Sequence, residues 1–191
     1  MTAPFLVLGL PRSRTYWLSR FLNYARWSCT HDHAMYVRSV DDVKSWVSMD
    51  YCGSVETAAA PFWRLARHYR PDLKLAVIRR KPAAVVDSLM KWGLYDRAKL
   101  EQVIARYDRA LDRAAAAPGC LSVDFKALQR EDVCALLFEH CLGEPFNRLW
   151  WAELAMQNLQ IKLWPQIIYY KAHGPQIAAA ARACVQAQRA I

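Results

Sequence analysis

FLVLGLPRSRTYWLSRFL, residues 5–22, decides how the rest of the chain is read. Phe5 to Gly9 is a short continuous apolar run ending at a turn, the pattern of a strand buried on both faces of a parallel sheet. From Thr15 to Ala25 the apolar residues fall at helical spacing, with Trp17, Leu18, Phe21, Leu22 and Ala25 on one face. The loop between them leads from a strand's carboxyl end to a helix N-terminus. Exposed backbone N–H groups and the positive end of the helix dipole make such a turn an anion cradle. Arg12 and Arg14 add fixed charge to it, and Ser13 and Thr15 add hydroxyl donors. The competing reading is a basic connection without a ligand. A Walker A loop is excluded: it needs Gly-Lys-Ser/Thr, and the chain has Arg14-Thr15-Tyr16.

Working outward, the alternation recurs. Trp27 to Thr30 reads as an extended segment after the first helix. Leu73 to Ile78 is apolar except Lys74 and runs into Arg79-Arg80-Lys81-Pro82. Pro82 is placed for the first turn of a helix over Ala83 to Trp92. Cys120 to Val123 follows Pro118-Gly119 as another strand and leads into helical sequence from Lys126. Helical patterns also cover Pro61 to Tyr69, Leu100 to Ala116, Asp132 to Leu142, Asn147 to Leu163 (ended by Pro165) and Gln176 to Arg189. Strands alternating with helices predict an α/β fold, a parallel sheet covered by helices on both faces with a helical C-terminal portion. No repeat or linker divides residues 1–191, so a single domain is expected.

Composition agrees. Hydrophobic residues make up 54% and charged residues 23% of the 191, enough apolar surface for a core, which excludes a disordered chain. With 26 Lys+Arg against 17 Asp+Glu the net charge is +9, which suits an anionic partner: nucleic acid, an acidic membrane or a small ligand with several phosphates. Six cysteines without Cys-x-x-Cys spacing read as free thiols in a reducing cytoplasm, and no zinc site is expected. The apolar run Pro4 to Leu10 is too short for a signal peptide or a membrane span. Trp17, Trp63, Trp92, Trp150 and Trp151 fall at core spacings, with one or two free to stack on a ligand.

A second basic turn, Arg79-Arg80-Lys81-Pro82 with Ser88 downstream, sits at the carboxyl end of a strand, where open α/β sheets bind ligands. Together the turns carry a resemblance. Gly9-x-Pro11-Arg12-Ser13-x-Thr15-x-Trp17-Leu18 resembles the 5′-phosphosulfate loop of the sulfotransferase family. Arg80-x-Pro82 with Ser88 is similar to its 3′-phosphate motif, and Val123-Asp124-Phe125-Lys126-Ala127-Leu128 to a strand-to-helix segment of the same family. The resemblance covers residues 5–30 and 73–128 and departs at Arg14, where glycine is usual, and at Tyr16. The family's late Gly-rich basic loop has only Tyr170-Lys171-Ala172-His173-Gly174 as a candidate counterpart.

The resemblance implies a P-loop-like sheet and a transferase that uses 3′-phosphoadenosine 5′-phosphosulfate (PAPS) as co-substrate. Its sulfuryl group would pass to a hydroxyl or amine of a small acceptor, with no metal. Arg12, Ser13, Arg14 and Thr15 would hold the 5′-phosphosulfate, and Arg80 and Ser88 the 3′-phosphate. The acceptor loses a proton as it attacks, a task for a histidine of near-neutral pKa. Cys29-Thr30-His31-Asp32-His33 supplies His31 as the first choice and His33 as the second, with Asp32 orienting or replacing the base. That segment also reads as a surface loop or a Cys/His metal cluster, and His68 as a surface residue. Two other functions stay open, a nucleotide-dependent kinase and a basic nucleic-acid-binding module. The chain is short for the family, so another chain could complete the acceptor pocket.

Overall fold

Phe5–Gly9 is buried from end to end because it is the middle strand of a five-stranded, all-parallel sheet. The computed structural model describes residues 2–57, 61–157, 159 and 163–191. In chain order the elements are β1 (Phe5–Gly9), α1 (Thr15–Phe21), β2 (Ser28–His31), α2 (Val40–Val47), β3 (Cys52–Thr57), α3 (Trp63–Tyr69), β4 (Lys74–Arg79), α4 (Pro82–Met90), α5 (Arg97–Ala115), β5 (Cys120–Asp124), α6 (Glu131–Leu142), α7 (Arg148–Ala155) and α8 (Leu163–Arg189). Short 3-10 turns follow β2 at His33–Met35 and β5 at Phe125–Gln129.

The strand order is β2-β3-β1-β4-β5, with Gly9 level with Thr57 on one side and Ile78 on the other. From β1 the chain goes first to one side of the sheet and later, from β3, to the other. The crevice beyond the carboxyl ends of β1 and β4 is therefore a topological switch point, where such sheets place ligands. Two apolar cores cover the sheet. Trp17 and Phe21 of α1 pack with Phe138 of α6 and Leu154 of α7 on one face. Val43 and Trp46 of α2, Leu65 of α3, Val85 of α4, Ile104 of α5 and Cys184 of α8 fill the other. The expected fold class is the one observed. All six cysteines are free. Among the described residues no helix is long and apolar enough to cross a membrane.

Several elements differ from the sequence reading. β3 was not anticipated, because CGSVET is small and polar rather than β-branched, yet five of its six residues are buried. Gly53 is required there, since a Cβ at this position would overlap the Phe5 ring on the neighbouring strand. Gly53→Ala should lower stability by about 1–3 kcal/mol in urea unfolding, the usual cost of overpacking a core. Helix α2 was also missed, although Ser39 and Asp42 form a capping box: Ser39 Oγ accepts from Asp42 N at 3.2 Å and Asp42 Oδ2 from Ser39 N at 2.8 Å. The helix read over Asn147 to Leu163 stops at Ala155. Pro165 does not end a helix but lies in the first turn of α8, where its missing N–H costs nothing. Tyr170 to Gly174 is inside α8 and makes no loop over the site.

Candidate active site

The loop after β1 is built on an unusual backbone. Arg12 and Arg14 both adopt left-handed conformations, with φ of 66° and 60°. Such residues favour glycine, and for an L-residue the conformation costs about 1–2 kcal/mol. Arg14 thus takes the conformation expected of the glycine it replaces. Two contacts hold it: its guanidinium donates to the Leu128 carbonyl at 3.1 Å and lies 4.9 Å from the Trp17 ring centre.

Arg12 is braced differently. Its Nε donates to Ser88 Oγ at 3.2 Å, and its guanidinium lies 5.0 Å from the Trp92 ring centre. Arg80, just past β4, donates through Nη1 to the Arg12 carbonyl and lies over Phe125. Hence Arg12, Ser88 and Arg80, far apart in sequence, meet at the switch point. Among the described residues neither Arg12 nor Arg80 is in an ion pair. Burial, then the Arg12 charge, lower the Arg80 pKa. Two guanidiniums without a counter-ion, brought together and partly desolvated, are an electrostatic demand for an anion. The adjacent Arg79 has no such demand, since it pairs with Asp108 at 3.3 Å and Asp112 at 2.6 Å on α5. Ser13 Oγ is buried in the loop and has no hydrogen-bond partner.

His31, the last residue of β2, turns toward this loop. Its Nε2 is 3.1 Å from Thr15 Oγ1 and its Nδ1 3.1 Å from Asp32 Oδ2. Asp32 Oδ1 in turn accepts from the Thr57 backbone N at 2.8 Å and from Thr57 Oγ1 at 2.7 Å. A carboxylate at Nδ1 favours the Nδ1–H tautomer and leaves Nε2 as the acceptor facing Thr15. Burial lowers the His31 pKa, and the Asp32 charge opposes it. Burial thus favours the neutral ring, the form that can take a proton. His33 turns elsewhere and stacks on Trp46 with ring centres 5.4 Å apart. His68 is exposed on α3.

The loop and His31 border a cleft of about 620 Å³, walled on the far side by Leu89 of α4, by Trp92 in the turn after it, and by Ile104 and Tyr107 of α5. Two neighbours, Glu56 and Thr57, were missed with the strand that carries them. Glu56 is buried, with Oε1 2.7 Å from Ser54 Oγ and 3.2 Å from the Ala34 backbone N. Burial first, then the Asp32 charge, push its pKa up to about 8. The available signal was the polar pair Ser54 and Glu56 two apart, hence on one face of a strand.

No protein-family model matches the chain, and no curated protein matches it in sequence. Solved structures do match in shape. The sulfotransferase domain of the Synechococcus PCC 7002 olefin synthase superposes with a TM-score of 0.58 at 13% identity, covering 85% of this chain and 82% of that one. A sulfotransferase from Alicyclobacillus acidocaldarius superposes with a TM-score of 0.55 at 12% identity over 99% of both chains. With identities this low the likeness is one of architecture: the chain has a sulfotransferase-like α/β fold.

Proposed function

We propose that the protein is a PAPS-dependent sulfotransferase acting on a hydroxyl or amine of a small acceptor. The observation that carries this is the convergence of Arg12 and Arg80, without counter-ions, on the crevice that His31 also faces. The residues suit the co-substrate. Arg12, Ser13 and Thr15 surround the loop for the 5′-phosphosulfate, Arg14 shapes it, and the orphaned Ser13 hydroxyl is a ready partner for an anion's oxygen. Arg80 and Ser88, both bonded to Arg12, take the 3′-phosphate.

His31 Nε2 removes the proton from the acceptor hydroxyl as its oxygen bonds to sulfur. The bond from sulfur to the bridging phosphate oxygen breaks, and that oxygen keeps the electron pair. Arg12 neutralises the charge left there, and Asp32 stabilises the imidazolium.

Adenosine 3′,5′-bisphosphate should raise the melting temperature more than ATP at equal concentration without magnesium, because a ligand of the folded state stabilises by its concentration over Kd. An ATP preference that requires magnesium would overturn the reading in favour of a kinase. Arg80→Ala should remove the preference for the bisphosphate over AMP, worth about 1.5–3 kcal/mol for a charge-assisted contact. If the preference survives, Arg80 does not hold the 3′-phosphate.

A further inference from the structure

Beyond Asp32 and Thr57 lies a second cavity of about 890 Å³, bordered by the 3-10 turn after β2, the end of β3, α5 and α8. It shares Asp32, Thr57, Tyr95, Tyr107 and Tyr170 with the smaller cleft, so the two adjoin beside His31. Its walls are largely apolar, with Met35, Val37, Phe62, Ile177 and Val185 among them. Its acidic lining residues among those described are Asp32 and Glu56, both buried and so at its floor. Arg106, Lys171, Arg182 and Arg189 also line it, and all are exposed, which places them at the rim. Among the described residues none of these four is in an ion pair.

We infer that the acceptor is an anionic amphiphile, an elongated apolar molecule with a hydroxyl at one end and a carboxylate or similar acid at the other. The inference deepens the sulfotransferase reading and rests on it. The cavity is of the size that takes a small molecule. An apolar stem is buried favourably against its walls, roughly in proportion to the area covered. The hydroxyl end, placed at the floor, meets Asp32 and Thr57 next to His31. The acid meets the unpaired cations of the rim, whereas a neutral lipid would leave them without a counter-charge. The reaction converts the hydroxyl to a sulfate ester: the proton goes to His31 Nε2, the acceptor oxygen bonds to sulfur, and the sulfur–phosphate oxygen bond of PAPS breaks.

The test uses the whole chain loaded with adenosine 3′,5′-bisphosphate and titrated calorimetrically with ω-hydroxylaurate and, separately, with its methyl ester. The acid should bind at least about tenfold more tightly, the worth of one charge-assisted contact. In a variant carrying Arg182→Ala and Arg189→Ala that preference should shrink toward unity, while bisphosphate affinity stays as in the parent. Given PAPS, the parent should sulfate the acid with the lower KM. Equal affinity for acid and ester, or a preference that survives in the double variant, overturns the acceptor inference while nucleotide binding stands. Failure to bind the bisphosphate at all removes the sulfotransferase reading as well.

Discussion

His31→Ala should lower sulfuryl transfer by about 10²–10⁴-fold, the usual worth of a positioned general base, while adenosine 3′,5′-bisphosphate still binds. The nucleotide contacts proposed for Arg12, Arg80 and Ser88 do not pass through the imidazole, so the two readouts should separate. His33→Ala is the control. Its ring stacks on Trp46, so its loss should reduce stability and leave chemistry nearly intact. Because burial lowers the His31 pKa, the pH–rate profile should hold its plateau to a lower pH than an ordinary histidine allows. Unchanged transfer in His31→Ala would show that the proton leaves by another route, with Asp32 the next candidate 3.1 Å away.

The largest expected effect on stability comes from Glu56. In the folded protein burial holds the proton on its carboxyl up to about pH 8, against 4.5 for a free glutamate side chain. Between these values the folded state holds a proton that the unfolded state has released. Stability from this group is therefore full below about pH 4.5 and is lost as the pH rises toward 8. Over pH 5 to 8 the change is on the order of 3 kcal/mol. Ser54 Oγ at 2.7 Å and the Ala34 backbone N at 3.2 Å donate to the carboxyl and oppose the rise, but burial outweighs them. Urea unfolding at pH 5 and pH 8 should show this fall in the parent and not in Glu56→Gln. Burial lowers the pKa of His31, His33 and His140, which destabilises the fold at the acid end of the range in both proteins. The difference between the two proteins isolates Glu56, and equal slopes would mean that it titrates near its ordinary value.

How much of this could be read from sequence depended on what kind of signal each part leaves. β1 and β4 announce themselves because strands covered on both faces must be apolar throughout. The arginine turns that follow them are legible because a basic loop between a strand and a helix has few structural reasons to exist. β3 is equally central but left no such mark: Gly53 makes room for Phe5, and Ser54 and Glu56 are polar because they serve one another and the turn after β2. Missing that strand hid Thr57, and with it the support that fixes Asp32 and hence His31. The meeting of Arg12 with Ser88 and Arg80 is a tertiary fact, since no periodicity in residues 9–15 says which later turn will face them. Likewise Pro165 is a stop signal in one context and a helix start in another, and only the break after Ala155 tells which.

The central position of β1 also bears on how the chain acquires its structure. Among the described residues β1 pairs only with β3, where Phe5 faces Gly53, and with β4, where it faces Lys74, both made after it. It has no hairpin partner nearby, so its hydrogen bonds wait for two long crossover connections to close. Topologies dominated by such distant pairings fold slowly, because loop-closure entropy is spent before contacts repay it. On the ribosome Phe5–Gly9 stays an open, apolar edge until Lys74–Arg79 has emerged, and unpaired edges of this kind recruit other chains. A fragment ending before β4 would therefore be expected to aggregate, and the nascent protein is exposed to the same hazard until Lys74–Arg79 has been made.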